Sequence, residues 1–222
     1  MLPFSLESEE ASIVLVGSLN PAIFHPEWLL RHDLITKDDL KGAKVELVHR
    51  DLSKFNLDWL NFEVMRDRLI ARTNDPSKYA PLNDLMISVL KILEHIPISK
   101  MGMNLKLQYK IDDEELWHKI GDNLAPKKYW DTLPYRVGLK SMNVESPRPD
   151  DLEGKINIGM GSIHTDFFGV YFDVNSHVEL RSTDDEKRIN KNADKILFDH
   201  WEDSLGFAKS SCKNILLKAL EL

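Results

Sequence analysis

Two histidines and two aspartates in the second half of the chain have the residue types and spacing of a metal site. They are His164, Asp166, Asp173 and His177. The first two residues are two positions apart and the last two are four apart, so each pair shares a face if its segment is a strand. Two imidazoles and two carboxylates could bind zinc or manganese and leave a position for water, as in a metal-dependent hydrolase.

The pattern around this candidate site also has a simpler interpretation, a hairpin with one face in water. Between Gly169 and Arg181 apolar and polar residues alternate with a period of two, which is expected for a sheet with one wet face. The inward face would hold Val170, Phe172, Val174, Ser176, Val178 and Leu180. The outward face would hold Tyr171, Asp173, Asn175, His177, Glu179 and Arg181.

Other motifs in the chain do not indicate catalysis. The glycine pair in Gly159-Met160-Gly161-Ser162 precedes another strand, whereas a phosphate loop needs a helix at that point. Cys212 falls on the apolar stripe of the last helix, where burial makes a thiol a poor nucleophile. The sequence therefore predicts no cofactor and favours a protein that is not an enzyme.

Basic residues lie on the predicted strands of both halves. If a twofold axis relates the halves, these residues would form one surface that binds nucleic acid on the concave face of the sheet. The candidates are Arg50, Arg66, Arg68, Arg72 and Lys140. Acidic residues alternate with those of the first half, so cross-strand ion pairs are the alternative interpretation. The net charge of −7 argues against a protein whose whole surface is built for nucleic acid.

Several aromatic residues fall outside the apolar stripes of the predicted helices. Exposed aromatic side chains are typical of contacts between proteins. The candidates are Trp59, Trp130, Phe167 and Phe168. Our first hypothesis is therefore a non-enzymatic interaction module that docks a protein partner or forms a homodimer. Nucleic-acid binding and metal-dependent hydrolysis are the alternatives.

The elements that must position these residues occur twice in the same order. Each half contains a strand, a helix, two or three strands and a long helix. The pattern predicts an α+β fold in which a tandem β-α-β-β(-β)-α unit forms a mostly antiparallel curved sheet backed by helices. The halves span about 12–97 and 98–222, and only Ile96-Pro97-Ile98-Ser99 separates them, so we expect one fused domain over 1–222.

The boundaries of these elements follow from periodicity and from breakers. In the first half the pattern predicts strands at Lys44–Leu52 and Leu57–Thr73 and a helix at Pro81–Ile96. In the second half it predicts a strand at Gly102–Ile111 and a helix capped by Asp112. Further strands are predicted at Pro134–Val144, Lys155–Ser162 and Gly169–Arg181. An apolar stripe of roughly thirty residues then predicts a long C-terminal helix.

Composition indicates where the protein works. A single cysteine excludes an internal disulfide and fits a reducing compartment. The first apolar run follows acidic residues, which is the opposite of a secretory signal. No apolar segment is long enough and free enough of charge to cross a membrane. We therefore expect a cytoplasmic protein without a membrane partner.

A run of residues also resembles a family. It comprises Phe62-Glu63-Val64-Met65-Arg66-Asp67-Arg68-Leu69-Ile70-Ala71-Arg72-Thr73, then Asp75-Pro76, Pro81-Leu82 and Met101-Gly102-Met103-Asn104. These motifs are similar to those of a sporadically distributed family of uncharacterised bacterial proteins, in which a strand with a D-R-L or D-R-F core precedes a helix and then a G-x-N or G-x-R strand. The resemblance covers about half the chain. It implies an α+β fold and a bacterial or phage source. A subunit of a bacterial multi-protein assembly, such as a phage-defence or prophage-encoded complex, is consistent with our first hypothesis. The resemblance implies no activity.

Overall fold

The computed structural model describes residues 2–133, 137–180 and 192–222. Within these ranges the chain forms nine strands and five α-helices. The strands are β1 (Phe4–Gly17), β2 (Lys44–Val48), β3 (Leu52–Asn56), β4 (Asn61–Met65), β5 (Arg68–Thr73), β6 (Ile98–Ile111), β7 (Ser141–Pro147), β8 (Gly154–His164) and β9 (Phe168–Glu179). The helices are α1 (Pro26–Arg31), α2 (Lys37–Lys41), α3 (Tyr79–Ile92), α4 (Glu114–Leu124) and α5 (Ala193–Leu220).

All nine strands belong to one sheet, in the order β2-β3-β4-β5-β1-β6-β9-β8-β7. The first strand of each half lies at the centre, and the other strands of that half follow outward in reverse chain order, so β2 and β7 are the edges. The halves meet where β1 pairs antiparallel with β6, with Ala11 opposite Leu105. The predicted α+β fold with a duplicated unit and a curved antiparallel sheet is confirmed.

Alternation of side chains along each strand decides which face is buried. On β6 the alternate residues from Met101 to Ile111 are at most 7% exposed and pack beneath the helices. The long helix α5 contributes a buried stripe that includes Leu197, Trp201 and Leu216. It contacts α3 and α4 as well as the central strands. Its 28 residues span about 42 Å at about 1.5 Å per residue, so the predicted long C-terminal helix is confirmed.

One predicted strand of the first half is two strands in the structure. The segment Leu57–Thr73 contains β4 and β5, which are joined by a turn at Arg66 and Asp67. Buried positions change from even numbers (Phe62, Val64) before the turn to odd numbers (Leu69, Ala71) after it. A continuous strand cannot make that change without a bulge, because its side-chain period is two. The first half therefore has four strands after its short helices, one more than the longest predicted unit.

Other boundaries differ by smaller amounts. The predicted strand Lys44–Leu52 ends at Val48, and Leu52 already belongs to β3. The N-cap of α4 is Asp113, whose Oδ1 accepts a hydrogen bond from the Leu116 N–H at 2.8 Å. Pro134 and Arg181, the outer limits of two predicted strands, lie outside the described residues.

Candidate binding surfaces

One face of the sheet carries the side chains that alternate with the buried ones, and we call it the open face. Its central members lie on β5, β1, β6, β9 and β8 and are half-buried or exposed, apart from Gly102. They are Arg68, Ile70, Arg72, Glu10, Ser12, Val14, Val16, Lys100, Gly102, Asn104, Lys106, Asp173, Asn175, His177, Glu179, Lys155 and Asn157. The predicted outward face of β9 is correct from Tyr171 to Glu179.

Polar side chains occupy directly opposed positions on seven successive strands of the open face. We call this set the amide row, because five of its seven members are asparagines. In order across the sheet they are Asn157, Asn175, Asn104, Ser12, Arg72, Asn61 and Asn56. Six strand spacings of about 4.8 Å make the amide row about 29 Å long.

The centre of the amide row has hydrogen-bonding capacity that the described residues do not use. The Asn104 Nδ2 donates to the Ser12 Oγ at 3.3 Å. The Oδ1 atoms of Asn104 and Asn175 are buried and have no hydrogen-bond partner among the described residues. A Cβ placed on Gly102 would lie 3.0 Å and 3.4 Å from these two oxygens, so both amides lean over the glycine. A buried acceptor without a partner costs about 1–3 kcal/mol, which a bound donor group would recover.

Charged residues surround the amide row. Counted over β1–β9, the open face holds eight lysines and arginines against six carboxylates, an excess of two positive charges, whereas the whole chain carries −7. Four lysines form ion pairs: Lys54–Glu46 (2.8 Å), Lys100–Glu179 (3.0 Å), Lys106–Glu10 (3.6 Å) and Lys155–Glu145 (2.6 Å). Hydrogen bonds from His177 and then Lys100 lower the pKa of the Glu179 carboxyl.

Two of the five predicted nucleic-acid-binding residues lie on the open face. Arg68 and Arg72 lie on β5 on either side of Ile70, each two positions from it. Neither is in an ion pair within the described residues. Arg50 and Arg66 lie in turns at one end of the sheet, and both contact the Asp51 carboxylate. Lys140 precedes β7, five strand spacings or about 24 Å from β5. The structure therefore brings together Arg68 and Arg72 only.

The four predicted metal ligands are not brought together. His164 lies on the helix side of the sheet, where its ring stacks on Phe168 with centroids 5.1 Å apart. Asp166 is exposed in the β8–β9 turn. Asp173 and His177 are on the open face, about 13 Å apart along β9. The part of the chain that the structure describes contains no group of three or more histidine, cysteine or carboxylate side chains able to hold a metal.

Most of the predicted partner-binding aromatic residues make contacts within the chain. The Trp59 Nε1 donates to the Asp39 carboxylate at 3.0 Å, and Lys78 lies over its ring. Phe167 and Phe168 are half-buried at the end of the sheet. Trp130 alone of the four is exposed, at 51%.

An apolar surface that the sequence reasoning missed lies on the edge strand β2, and we call it the β2 edge. Val45, Leu47 and Val48 are 51%, 45% and 42% exposed. One side of β2 pairs with β3, and the order of the described strands places no strand on its other side. Three aliphatic residues beside two charged ones were visible in the sequence, but the position of their strand at the edge was not.

Comparisons with known proteins give no family assignment, since the chain matches no family model and no curated protein. The resemblance to the uncharacterised bacterial family therefore stays a prediction. None of the helices in the described ranges is both long enough and apolar enough to cross a membrane.

Proposed function

We propose that this protein is a non-enzymatic interaction module that assembles with its own copy by strand addition at the β2 edge. The observation that carries the proposal is the exposure of Val45, Leu47 and Val48 on a strand whose outer side has no neighbouring strand among the described residues. Proteins normally protect such edges with charges, prolines or a covering element, because unpaired backbone groups attract other strands. Strand addition satisfies those backbone groups and covers the aliphatic side chains at the same time.

The opposite edge of the sheet gives a contrast within the same molecule. Val144 on β7 is 53% exposed, similar to Val45. The other residues of β7 include Glu145 and Pro147, and Pro149 follows. Proline protects an edge from pairing because it has no backbone N–H to donate, and β2 contains no proline. The β2 edge is therefore the better candidate for assembly.

The sequence of β2 fits an antiparallel pairing with itself. A twofold axis through Val45 would place Lys44 of one copy opposite Glu46 of the other, twice in each interface. The Glu46 carboxylate already accepts from Lys54 and Asn56, both at 2.8 Å, and these contacts hold it ionised on the open face. The two Val45 side chains would meet on the helix side, since Val45 is opposite the buried Phe55.

The expected interface is a weak one. Covering the exposed half of an aliphatic side chain contributes about 1 kcal/mol, or about 6 kcal/mol for the three residues of both copies. About four backbone hydrogen bonds across the interface add about 4 kcal/mol, and association costs at least about 4 kcal/mol. These values predict a dissociation constant on the order of 10–100 μM.

Multi-angle light scattering over a range of protein concentrations tests the proposal with Val45→Lys and, as a matched control, Val144→Lys. Both variants place the same charge on a half-exposed valine of an edge strand. The wild type and Val144→Lys are expected to reach the mass of a dimer, and Val45→Lys is expected to stay monomeric. A wild type that is monomeric at several times the expected dissociation constant (about 100 μM or below), or equal loss in both variants, contradicts the proposal.

The resemblance to bacterial and phage-encoded proteins extends the proposal to a multi-protein assembly. In such an assembly the β2 edge would pair with a strand of a neighbouring subunit, which follows the same physical rule as pairing with a second copy.

A further inference from the structure

We infer that the open face binds nucleic acid, with the asparagines of the amide row on the bases and Arg68 and Arg72 on the phosphates. This binding is independent of the β2 edge, which lies at the margin of the sheet. The two surfaces can therefore be tested separately.

The two arginines supply the phosphate contacts. Arg72 lies within the amide row, opposite Ser12 on one side and Asn61 on the other, and Arg68 is four residues or about 13 Å along the same strand. Neither has a carboxylate partner among the described residues. A guanidinium matches a phosphate in geometry and in charge. Both arginines can therefore bind phosphates without first breaking an ion pair.

The lysines of the open face add to this capacity. Lys100 and Lys106 are each in one exposed ion pair, at 3.0 Å and 3.6 Å. Exposed pairs of this kind are worth about 0–1 kcal/mol, so a phosphate can replace the carboxylate at little cost. The excess of positive charge on this face, in a chain of net charge −7, favours a polyanion as its occupant.

The amide row supplies groups that recognise bases. An asparagine amide offers both a donor and an acceptor, as base edges do. The Oδ1 atoms of Asn104 and Asn175 lack partners among the described residues, and rotation of either amide toward the open face lets its oxygen accept from an amino group of a base. Beside them Val14 and Ile70 are half-buried and opposite each other, and Tyr171 offers a ring for stacking. The polar centre of this face distinguishes it from the apolar core of a typical protein interface.

Fluorescence anisotropy with labelled single-stranded DNA, single-stranded RNA and duplex DNA tests the inference and distinguishes the form of nucleic acid. Four phosphate contacts, from the two arginines and two lysines, predict an affinity that falls about 50-fold for single strands between 50 and 200 mM salt. For duplex DNA the same contacts predict a fall of about 150-fold.

Matched variants separate the open face from general charge. Arg72→Ala removes one phosphate contact and should weaken binding about tenfold at 50 mM salt and reduce the salt slope by about 1. Arg66→Ala removes the same charge from a turn where Asp51 already pairs it, and binding should stay within about twofold of the wild type. Asn175→Asp should weaken binding at least tenfold, whereas Asn214→Asp on the exposed side of α5 should not change it.

Several results would overturn the inference. One is the absence of salt-dependent binding of all three probes at 50 mM salt, and another is an equal loss in Arg66→Ala and Arg72→Ala. If the dimer at the β2 edge forms while no probe binds, the inference fails and the proposed function stands. Dimer formation without binding of any probe is also the result expected if the open face binds a protein and not a nucleic acid.

Discussion

The substitution Asp150→Asn tests how the turn between β7 and β8 is attached to the sheet. Arg148 in this turn is a buried charge, with 3% of its side chain exposed. Its Nε and Nη2 donate to the two oxygens of Asp150 at 2.8 Å and 2.5 Å, and its Nη1 donates to the Ser176 Oγ at 2.6 Å. The asparagine keeps the shape of the aspartate and removes the charge that compensates the guanidinium.

The magnitude follows from the burial of the guanidinium. Removing one partner of a buried ion pair costs about 3–5 kcal/mol, because the other charge is left uncompensated. The Asp150 side chain is 26% exposed, so water screens part of its interaction with Arg148. We therefore expect a loss of stability at the lower end of that range, about 3 kcal/mol. For a chain of this size that corresponds to a fall in Tm of about 6–12 °C.

The same contacts give this prediction a pH dependence. Hydrogen bonds from Arg148 lower the pKa of the Asp150 carboxyl in the folded state. The stabilisation is therefore present above the unfolded-state pKa of about 3.9 and is lost as the pH falls through the folded-state pKa. The stability difference between wild type and Asp150→Asn should be constant near neutral pH and shrink below about pH 4.

Urea and thermal unfolding followed by circular dichroism measure both effects. Asp151→Asn is the control, since the neighbouring residue is exposed and should change stability by less than about 0.5 kcal/mol. His200→Gln is measured in parallel, because the His200 Nδ1 lies 3.6 Å from the Asp150 Oδ2. A cost below about 0.5 kcal/mol for Asp150→Asn, or a difference that persists unchanged at pH 3, would refute the reasoning.

Two further predictions concern the glycines Gly161 and Gly206 and the cysteine Cys212. A Cβ at Gly161 would lie 2.7 Å from the Lys140 carbonyl oxygen and 2.6 Å from the Tyr171 ring, so Gly161→Ala should destabilise by about 1–3 kcal/mol. In Gly206→Ala the new Cβ on α5 meets no atom within 4 Å, so this variant should be more stable by about 1 kcal/mol. Urea unfolding measures both variants, and a change in the free energy of unfolding of the same sign in both would contradict the packing. Burial raises the pKa of the Cys212 thiol to about 12. A thiol reagent at pH 8 should therefore react with Cys212 only when urea unfolds the protein. Rapid reaction of the folded protein would contradict the packing of α5.

The periodic parts of the fold could be predicted from the sequence. On β9 the alternation of Phe172 and Val174 with Asp173 and Asn175 identified the buried face correctly. The apolar stripe of α5 likewise identified its length and its contact face. In both elements burial alone decides the pattern, and burial leaves a direct periodic trace in the residues.

Strand order and register could not be predicted, because they depend on pairs that are distant in the chain. Asn104 and Asn175 are opposite each other only because β6 pairs with β9, across 71 residues. The position of β2 at the edge likewise depends on where the other eight strands lie. The amide row and the β2 edge are consequences of topology, so neither was visible in a motif.

The failure of the predicted metal site has a similar cause. His164 is opposite Phe168 in the β8–β9 hairpin, and even-numbered residues of β9 face the helices. Asp173 is odd-numbered and faces the other way. The spacing of Asp173 and His177 was informative, but His164 lies on the opposite face of the sheet and Asp166 lies in the turn, which only the register of the hairpin determines.

Hydrogen–deuterium exchange of residues 43–49 at low and high protein concentration tests assembly at the β2 edge most directly. Strand addition pairs backbone groups of β2 that are otherwise open to water, so exchange of this segment should slow as the concentration rises through the dissociation constant. Residues 141–147 of β7 should exchange at the same rate throughout. If β2 exchanges at a rate independent of concentration while the protein forms dimers, the assembly uses another surface and the proposed function is wrong.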